Sequence, residues 1–402
     1  MTLAETRFAS DENMTVPVAS SGEFPPLAVG PLRVWPPVVL APMAGITNYP
    51  YRSLCRGFGA GLFVSEMITA RGYLHGNRMT RLLASSQPGE EPRSVQIYGS
   101  DPVDVGEMVT SLVAEGVDHI DMNFGCPVAK VTRHGGGSAV PVKPRLLARI
   151  VRAAVRSSGD VPVTIKVRMG IDDELLTYTD AGRVAEEEGV SAIALHARTA
   201  AALYSGQAQW PAISALKESV GIPVLGNGDI WECWDALRMM RETGCDGVVV
   251  GRGCLGRPWL FKELSDVFDG REPSGPPKLG EVVEVALVHA NSLASFFGEW
   301  SAMKQMRKWI GWYTKGFYGA SALRANLAVI TSLEELQELL NALPADEEFP
   351  KRALRMGRAK RGGRQRVKLP EGDLDDLSDD TPPRGPRTAS EIEAWERANC
   401  GG

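Results

Sequence analysis

Apolar positions follow two different rhythms along this chain. From Val38 onward, short apolar runs recur at Val38–Ala41, Leu62–Ser65, Ser94–Tyr98, His119–Met122, Val163–Val167, Ala192–His196, Pro223–Leu225 and Gly247–Val250. Segments of helical spacing separate them, among them Val103–Val113, Pro144–Val155 and Asp180–Glu188. Strand–helix alternation of this kind over about 220 residues predicts a parallel (β/α)8 TIM barrel. A doubly wound sheet is the alternative; the number of units and their length favour closure. Upstream, a Gly-Pro turn between Leu27 and Trp35 predicts a small hairpin leading into the barrel.

The second rhythm begins beyond the Pro/Gly-rich linker that ends at Gly280, where the period becomes purely helical. Val283, Ala286, Leu287, Ala290, Leu293, Ala294 and Phe297 trace one apolar stripe, and Met303, Met306, Ile310 and Tyr313 another. Ser332 and Glu335 have capping-box spacing ahead of a third helix. No acid occurs from Ser301 to Leu333, whereas Lys304, Arg307, Lys308 and Lys315 do, which predicts a basic side. The flanks lack periodicity. The organisation expected is a disordered N-terminal extension (1–27), a barrel catalytic domain (28–270), a small C-terminal helical domain (271–346) and a disordered charged tail (347–402). Lys351 to Lys368 holds nine Lys/Arg and no acid, and an acidic block from Glu371 to Asp380 follows. The basic half is expected to tether RNA and the acidic half to shield it.

Composition narrows the class. With 44% hydrophobic and 23% charged residues, the chain reads as a soluble globular protein. No run approaches the ~18 apolar residues of a membrane helix, and the first twenty residues lack the apolar core of a signal peptide. The six cysteines are scattered without a C-x-x-C pair, which argues against disulfides or a structural metal and for a cytoplasmic location. A net charge of −5 means that any nucleic-acid surface is local.

Chemistry concentrates at the strand ends, where a barrel gathers its functional groups. The first strand ends in Ala41-Pro42-Met43-Ala44-Gly45 and the third carries Gln96. The fourth ends in Asn123 and Cys126, the fifth in Lys166 and Arg168, the sixth in His196 and Arg198. The last two run into Gly226-Asn227-Gly228-Asp229 and Gly251-Arg252-Gly253. Any one of these is explained by ordinary structure, and a free cysteine is usually just a small buried residue. Their convergence on one rim is not. Glycine-rich turns after the last two strands form the phosphate site common in such barrels, and Arg252 adds a charge-assisted contact. Gly251 to Gly256 also matches the dinucleotide fingerprint G-x-G-x-x-G, but no further βαβ unit follows, so that reading is rejected. A phosphorylated aromatic cofactor such as flavin mononucleotide (FMN) suits the layout.

The motifs L-A-P-M-A-G-I-T, S-V-Q-I-Y-G-S-D-P, D-M-N-F-G-C-P, K-V-R-M-G, H-A-R-T, G-N-G-D-I, G-R-G-C-L-G-R-P-W and R-K-W-I-G-W-Y resemble, in order, those of the bacterial tRNA-dihydrouridine synthases, most closely the B-type subgroup. The resemblance spans Val29 to Leu343. It implies an FMN barrel with a tRNA-holding helical domain, and reduction of the uridine C5=C6 bond at the expense of NADPH or NADH. It places the catalytic cysteine at Cys126, as proton donor. It places flavin contacts at Pro42, Met43, Ala44, Gln96, Lys166, His196, Asn227, Gly228, Asp229, Gly251 and Arg252, and substrate contacts at Asn123, Arg168 and Arg198. No metal, membrane or obligate protein partner is implied. Three features depart from the family pattern: Asn48 where Asp is frequent, Trp309 where His is commoner, and a loop after the cysteine, from Arg133 to Val140, that is richer in glycine. The rival readings are a flavin barrel reductase of a free pyrimidine or enone, a non-catalytic RNA-binding relic, and a Schiff-base aldolase using Lys166.

Overall fold

The computed structural model describes residues 7–85, 87–359 and 363–383. After an antiparallel hairpin, β1 (Leu27–Val29) and β2 (Leu32–Val34), come β3 (Val38–Leu40), β4 (Leu62–Phe63), β5 (Ile68–Thr69), β6 (Ser94–Tyr98), β7 (His119–Phe124), β8 (Val163–Arg168), β9 (Ala192–His196), β10 (Val224–Asn227) and β11 (Gly247–Val250). β3 to β11 form one parallel sheet in the order β4-β3-β11-β10-β9-β8-β7-β6-β5. The sheet closes on itself because Val64, just past β4, bridges to Ser94 of β6, and the Ser65 N–H donates to the Ser94 carbonyl (3.1 Å). Eight expected strands are therefore present and closed into a barrel. The additional β5 is two residues paired with Ile97 and Tyr98, too short to show any alternation in sequence.

Burial on both faces explains the uninterrupted apolar runs of these strands. Each covering helix offers one apolar stripe: in helix Pro144–Ser157 the buried residues are Leu146, Leu147, Ile150, Val151 and Ala154, and proline opens it at a position needing no N–H donor. The hairpin plugs the N-terminal end of the barrel. Leu27, Val29 and Val34 pack with Val39, Ala41, Leu62, Ala194, Leu225 and Val249 inside it, leaving the opposite rim open to chemistry.

Helices Leu279–Phe297, Glu299–Tyr313, Ala320–Leu327 and Leu333–Asn341 follow, the last with the expected Ser332/Glu335 capping box. They are welded to the barrel at an aromatic seam. Trp309, fully buried, lies 4.4 Å from Tyr51 and 4.6 Å from His289 between ring centroids. The Trp309 indole thus fills the space of the seam. Gly256 has φ +64° and sits against the Trp312 backbone, where a Cβ would come within 2.4 Å of a carbonyl carbon, so only glycine lets the two units approach this closely. Asn48 fills an N-cap position, where Asp and Asn are both favoured: its side chain accepts from the Tyr51 N–H (3.2 Å) and caps helix Tyr49–Phe58.

The described flanks contain packed residues that the expectation of disorder does not foresee. Ala9, Asn13, Phe349, Ala353, Leu354 and Arg358 are buried. The two extensions meet at a buried carboxylate pair, Glu232 and Asp235, at the start of helix Cys233–Thr243. Asn13 donates to both acids at 3.0 Å, and Arg355 reaches both at 3.0 Å. Composition misleads here because the apolar residues are few but buried, and because the arginines neutralise acids of the barrel. The idea of a freely available basic tether weakens accordingly: Arg352 binds the Gly316 carbonyl, Arg355 the acids, and Arg364 Asp173 (2.6 Å). Lys360, Arg361 and residues 384–402 lie outside the described residues. The acidic block is docked too, with Lys143 held by Asp373 (2.9 Å) and Asp379 (3.1 Å). Replacing Arg355 by Ala removes the cation that reaches both Glu232 and Asp235, leaving them the Asn13 amide, Ser10 and the Trp231 and Glu232 N–H groups; unfolding in urea is expected to show a loss of roughly 3 kcal/mol, the low end for a broken buried pair because Arg355 is partly exposed and the acids keep these donors.

Candidate active site

The rim residues are brought together by strand register. In the parallel ladders Gln96 lies beside Asp121, Asn123 beside Lys166, Arg168 beside His196, and His196 beside Asn227. The candidates from β6 to β10 thus form a row around the inside of the rim, and the loops after β3 and β11 add Pro42, Met43, Ala44, Gly251 and Arg252. A cavity inside the barrel is lined by Pro42, Asp121, Thr164, Lys166, Ala194 and Val249.

A chain of hydrogen bonds sets the cysteine turn. Asp121 is buried and accepts from Thr164 Oγ1 and Gln96 Nε2, both at 2.6 Å. Gln96 therefore faces Asn123 with its oxygen, which accepts from Asn123 Nδ2 (2.8 Å). Asn123 in turn presents its own oxygen to the backbone N–H groups of Gly125 (3.1 Å) and Cys126 (2.9 Å). One carboxylate, able only to accept while ionised, fixes the orientation of two amides and the turn beyond them. Burial lifts its pKa to about 6, so the arrangement persists at neutral pH. Asp121 opens the D-M-N-F-G-C-P motif, but the motif alone assigns it no role; its place two residues before Asn123 on one strand puts both side chains on the same face.

Cys126 is half-buried. Burial pushes its thiol above the ordinary value, and the Val128 N–H and the Arg168 charge offset this only in part, so the sulfur carries its proton at neutral pH. Across the rim, Lys166 donates to Asn227 Oδ1 (3.0 Å), and Asn227 donates on to the Val249 carbonyl (2.7 Å). Burial, reinforced by the Arg168 charge, lowers Lys166 to about 7. Burial and the cations Arg168, Lys166, Arg198 and Arg252 hold His196 neutral.

The arginines divide by role. Arg168 donates through Nε to the carbonyl of Gly125 (2.9 Å) and through Nη1 to those of Thr199 (3.0 Å) and Leu203 (2.9 Å), and so shapes the mouth. Arg198 grips Asp229 through Nη2 (2.8 and 2.7 Å), while its buried Nη1 has no partner among the described residues. Asp229, at φ +58°, also accepts from the Ala208 N–H (2.7 Å), so its carboxylate serves to hold Arg198. Arg252 lies 3.7 Å from Asp229 and stacks over Tyr204 (4.5 Å) and Trp231 (5.0 Å). Tyr204 carries no sequence signal of its own; it is an aromatic in a loop. At Gly251 a Cβ would meet nothing nearer than Ala41 Cβ at 3.7 Å, leaving the backbone open to a bound group beside Met43. Four cations, one of them with an unpartnered buried N–H, surround an opening whose carboxylate neighbours are already engaged. The donor set fits an anionic, phosphate-bearing ligand. Among the described residues no group of His, Cys, Asp and Glu is placed to hold a metal, and no helix is long and apolar enough to cross a membrane.

A parallel barrel with a protonated thiol and a cationic mouth defines an α/β-barrel enzyme site. The sequence pattern of the dihydrouridine synthase (Dus) family matches residues 39–350, and the chain belongs to that family. It is 50% identical over 372 residues to "Probable tRNA-dihydrouridine synthase" of Mycobacterium tuberculosis H37Rv, covering 90% of this chain and 95% of that one. It is 40% identical over 297 residues to "tRNA-dihydrouridine synthase B" of Pseudomonas aeruginosa, covering 74% and 89%. Among solved structures, histamine dehydrogenase from Rhizobium sp. 4-9 is a distant likeness, with a TM-score of 0.48 at 15% identity over 67% of this chain and 50% of that one.

Lys166 has a direct spectroscopic test. In ligand-free protein with reductively 13C-methylated lysines, one resonance should titrate near 7 and vanish in Lys166→Met; a Lys166 signal titrating near the ~10.4 of an ordinary lysine would mean that water reaches the mouth freely.

Proposed function

We propose that this protein reduces uridine in tRNA to 5,6-dihydrouridine, with FMN held in the barrel mouth and Cys126 as proton donor. The observation that carries the proposal is a protonated thiol, on a turn anchored from the strand below, beside a cationic pocket in a chain of this family. Gly228, Gly251 and Arg252 suit the cofactor phosphate. Gln96, Lys166, His196 and Asn227 suit the polar edge of its ring, and Pro42, Met43 and Ala44 line its flank; Asp229 contributes by fixing Arg198. When bound, FMN supplies the hydride for uracil C6 and is recharged by NADPH or NADH.

Hydride addition at C6 leaves negative charge spread over C5, C4 and O4 of the uracil. Cys126 Sγ–H then gives its proton to C5, and the resulting thiolate regains one from solvent. A raised thiol pKa suits this order of events, since a thiolate could not act as acid. Asn123 holds the turn through its Oδ1, and the unpartnered Arg198 Nη1 is a donor suited to a uracil carbonyl. The target base has to leave the tRNA stack to reach this depth. On the helical domain, Trp300 is exposed with Lys304 Nζ 3.2 Å from its ring centroid, and Tyr318 is exposed as well. Aromatic faces beside cations suit an RNA strand.

Cys126→Ala is expected to leave NADPH-driven flavin reduction intact and to cut dihydrouridine formation in tRNA by about 10²–10⁴-fold, the usual contribution of a general acid. Mass spectrometry of digested tRNA measures it. Undiminished product would return Cys126 to a packing role.

A further inference from the structure

The three carbonyls that follow one another through the cysteine turn are each held by a different part of the protein. Arg168 Nε donates to Gly125 O (2.9 Å), the Ser138 N–H donates to Cys126 O (3.1 Å), and Gln365 Nε2 donates to Pro127 O (2.8 Å). The third donor comes from the C-terminal extension, far outside the barrel in sequence. Gln365 does more than touch the turn. The same Nε2 reaches Ala200 O (3.2 Å), and its own backbone N–H donates to Ala201 O (2.8 Å). It therefore ties the loop after β7 to the loop after β9, the same two loops that Arg168 spans from inside.

A second contact leads from the extension to the same cysteine. At Gly135 (φ +70°) a Cβ would lie 2.6 Å from Pro383, and at Gly137 (φ +56°) a Cβ would lie 2.5 Å from the Cys126 carbonyl oxygen. The glycine-rich loop is pressed between the extension on one side and the cysteine turn on the other. This gives a physical reason for glycine at both positions: each needs a left-handed backbone and no side chain. Lys143 with Asp373 and Asp379, together with Arg149 Nη1 donating to the Asp380 carbonyl (2.8 Å), pins the extension close to that contact.

We propose that Gln365 is a positioning residue for the reaction, holding Cys126 in place through the Pro127 carbonyl and the loop after β9. The proposal rests on the reading of Cys126 as proton donor. Gln365→Ala removes the donor. Gln365→Glu keeps the shape but replaces the donor by an acceptor facing two carbonyls, so the two variants should behave alike. In full-length protein, each is expected to lower kcat for unmodified tRNA about three- to tenfold, the range for one or two neutral hydrogen bonds, with KM for tRNA unchanged. Without tRNA or NADPH, iodoacetamide should alkylate Cys126 about three- to tenfold faster in both variants, because the turn opens more often once a tie is lost. Peptide mass spectrometry isolates Cys126 from the other cysteines. Unchanged alkylation together with unchanged kcat overturns the proposal, as does a rise in KM alone, which would make Gln365 a tRNA contact. If wild-type protein forms no dihydrouridine, the functional reading fails, while the alkylation measurement still decides whether Gln365 holds the turn.

Discussion

The site depends on a buried carboxylate that can only accept hydrogen bonds. Asp121 takes donors from Thr164 and Gln96, and from that choice the orientation of Gln96, then of Asn123, then of the Gly125 and Cys126 amides follows without further freedom. The chain also runs downward: Thr164 Oγ1 lies 2.9 Å from His119 Nε2, and His119 Nδ1 lies 2.7 Å from Ser94 Oγ. Burial holds His119 down at about 3, so it stays neutral and relays hydrogen bonds without adding charge. Buried polar chains of this kind rigidify what they join, provided every member is satisfied. Here they turn three strands of the barrel into a fixed base for one thiol.

Charge supplies the other half of the design. Lys166, Arg168, Arg198 and Arg252 crowd one opening, a costly arrangement for a protein without a ligand, as the lowered pKa values of Lys166, Arg168 and Arg252 register. Burial is the main cause in each case, and mutual repulsion adds to it. An anion entering the opening relieves both. The cations that depress His196 also keep it neutral, so it offers a hydrogen bond and no further charge. The thiol and the cationic opening thus have separate tasks, and Arg168 connects them by holding the Gly125 carbonyl.

Much of this is legible in the chain itself. Strand positions follow from apolar runs, and a barrel places strand ends on one rim, so the pattern alone groups Asn123, Cys126, Lys166, His196 and Asn227. What periodicity cannot show is which side chains satisfy one another. Asp121 stands in a motif that does not show its hold on two amides, Tyr204 reads as a loop aromatic, and nothing local shows that Arg168 Nε and Nη1 bind backbone carbonyls. The extensions read as disordered for a related reason. Composition averages over a segment, whereas Phe349, Leu354 and Arg355 act singly, each fitting a place that the barrel provides. Gln365 lies in a stretch rich in arginine and glycine, and nothing local marks it as the donor to Pro127.

The central claim is that Cys126 is a fixed thiol that keeps its proton at neutral pH. Its titration is the most direct test. The rate of Cys126 alkylation by iodoacetamide, followed by peptide mass spectrometry across the neutral and alkaline range, reports the thiolate fraction in full-length protein. The account predicts a midpoint above the ~8.5 of an unperturbed thiol, with slow reaction at neutral pH. A midpoint below ~7, in the range of thiols activated as nucleophiles, would mean that Cys126 is a thiolate at work and not the acid.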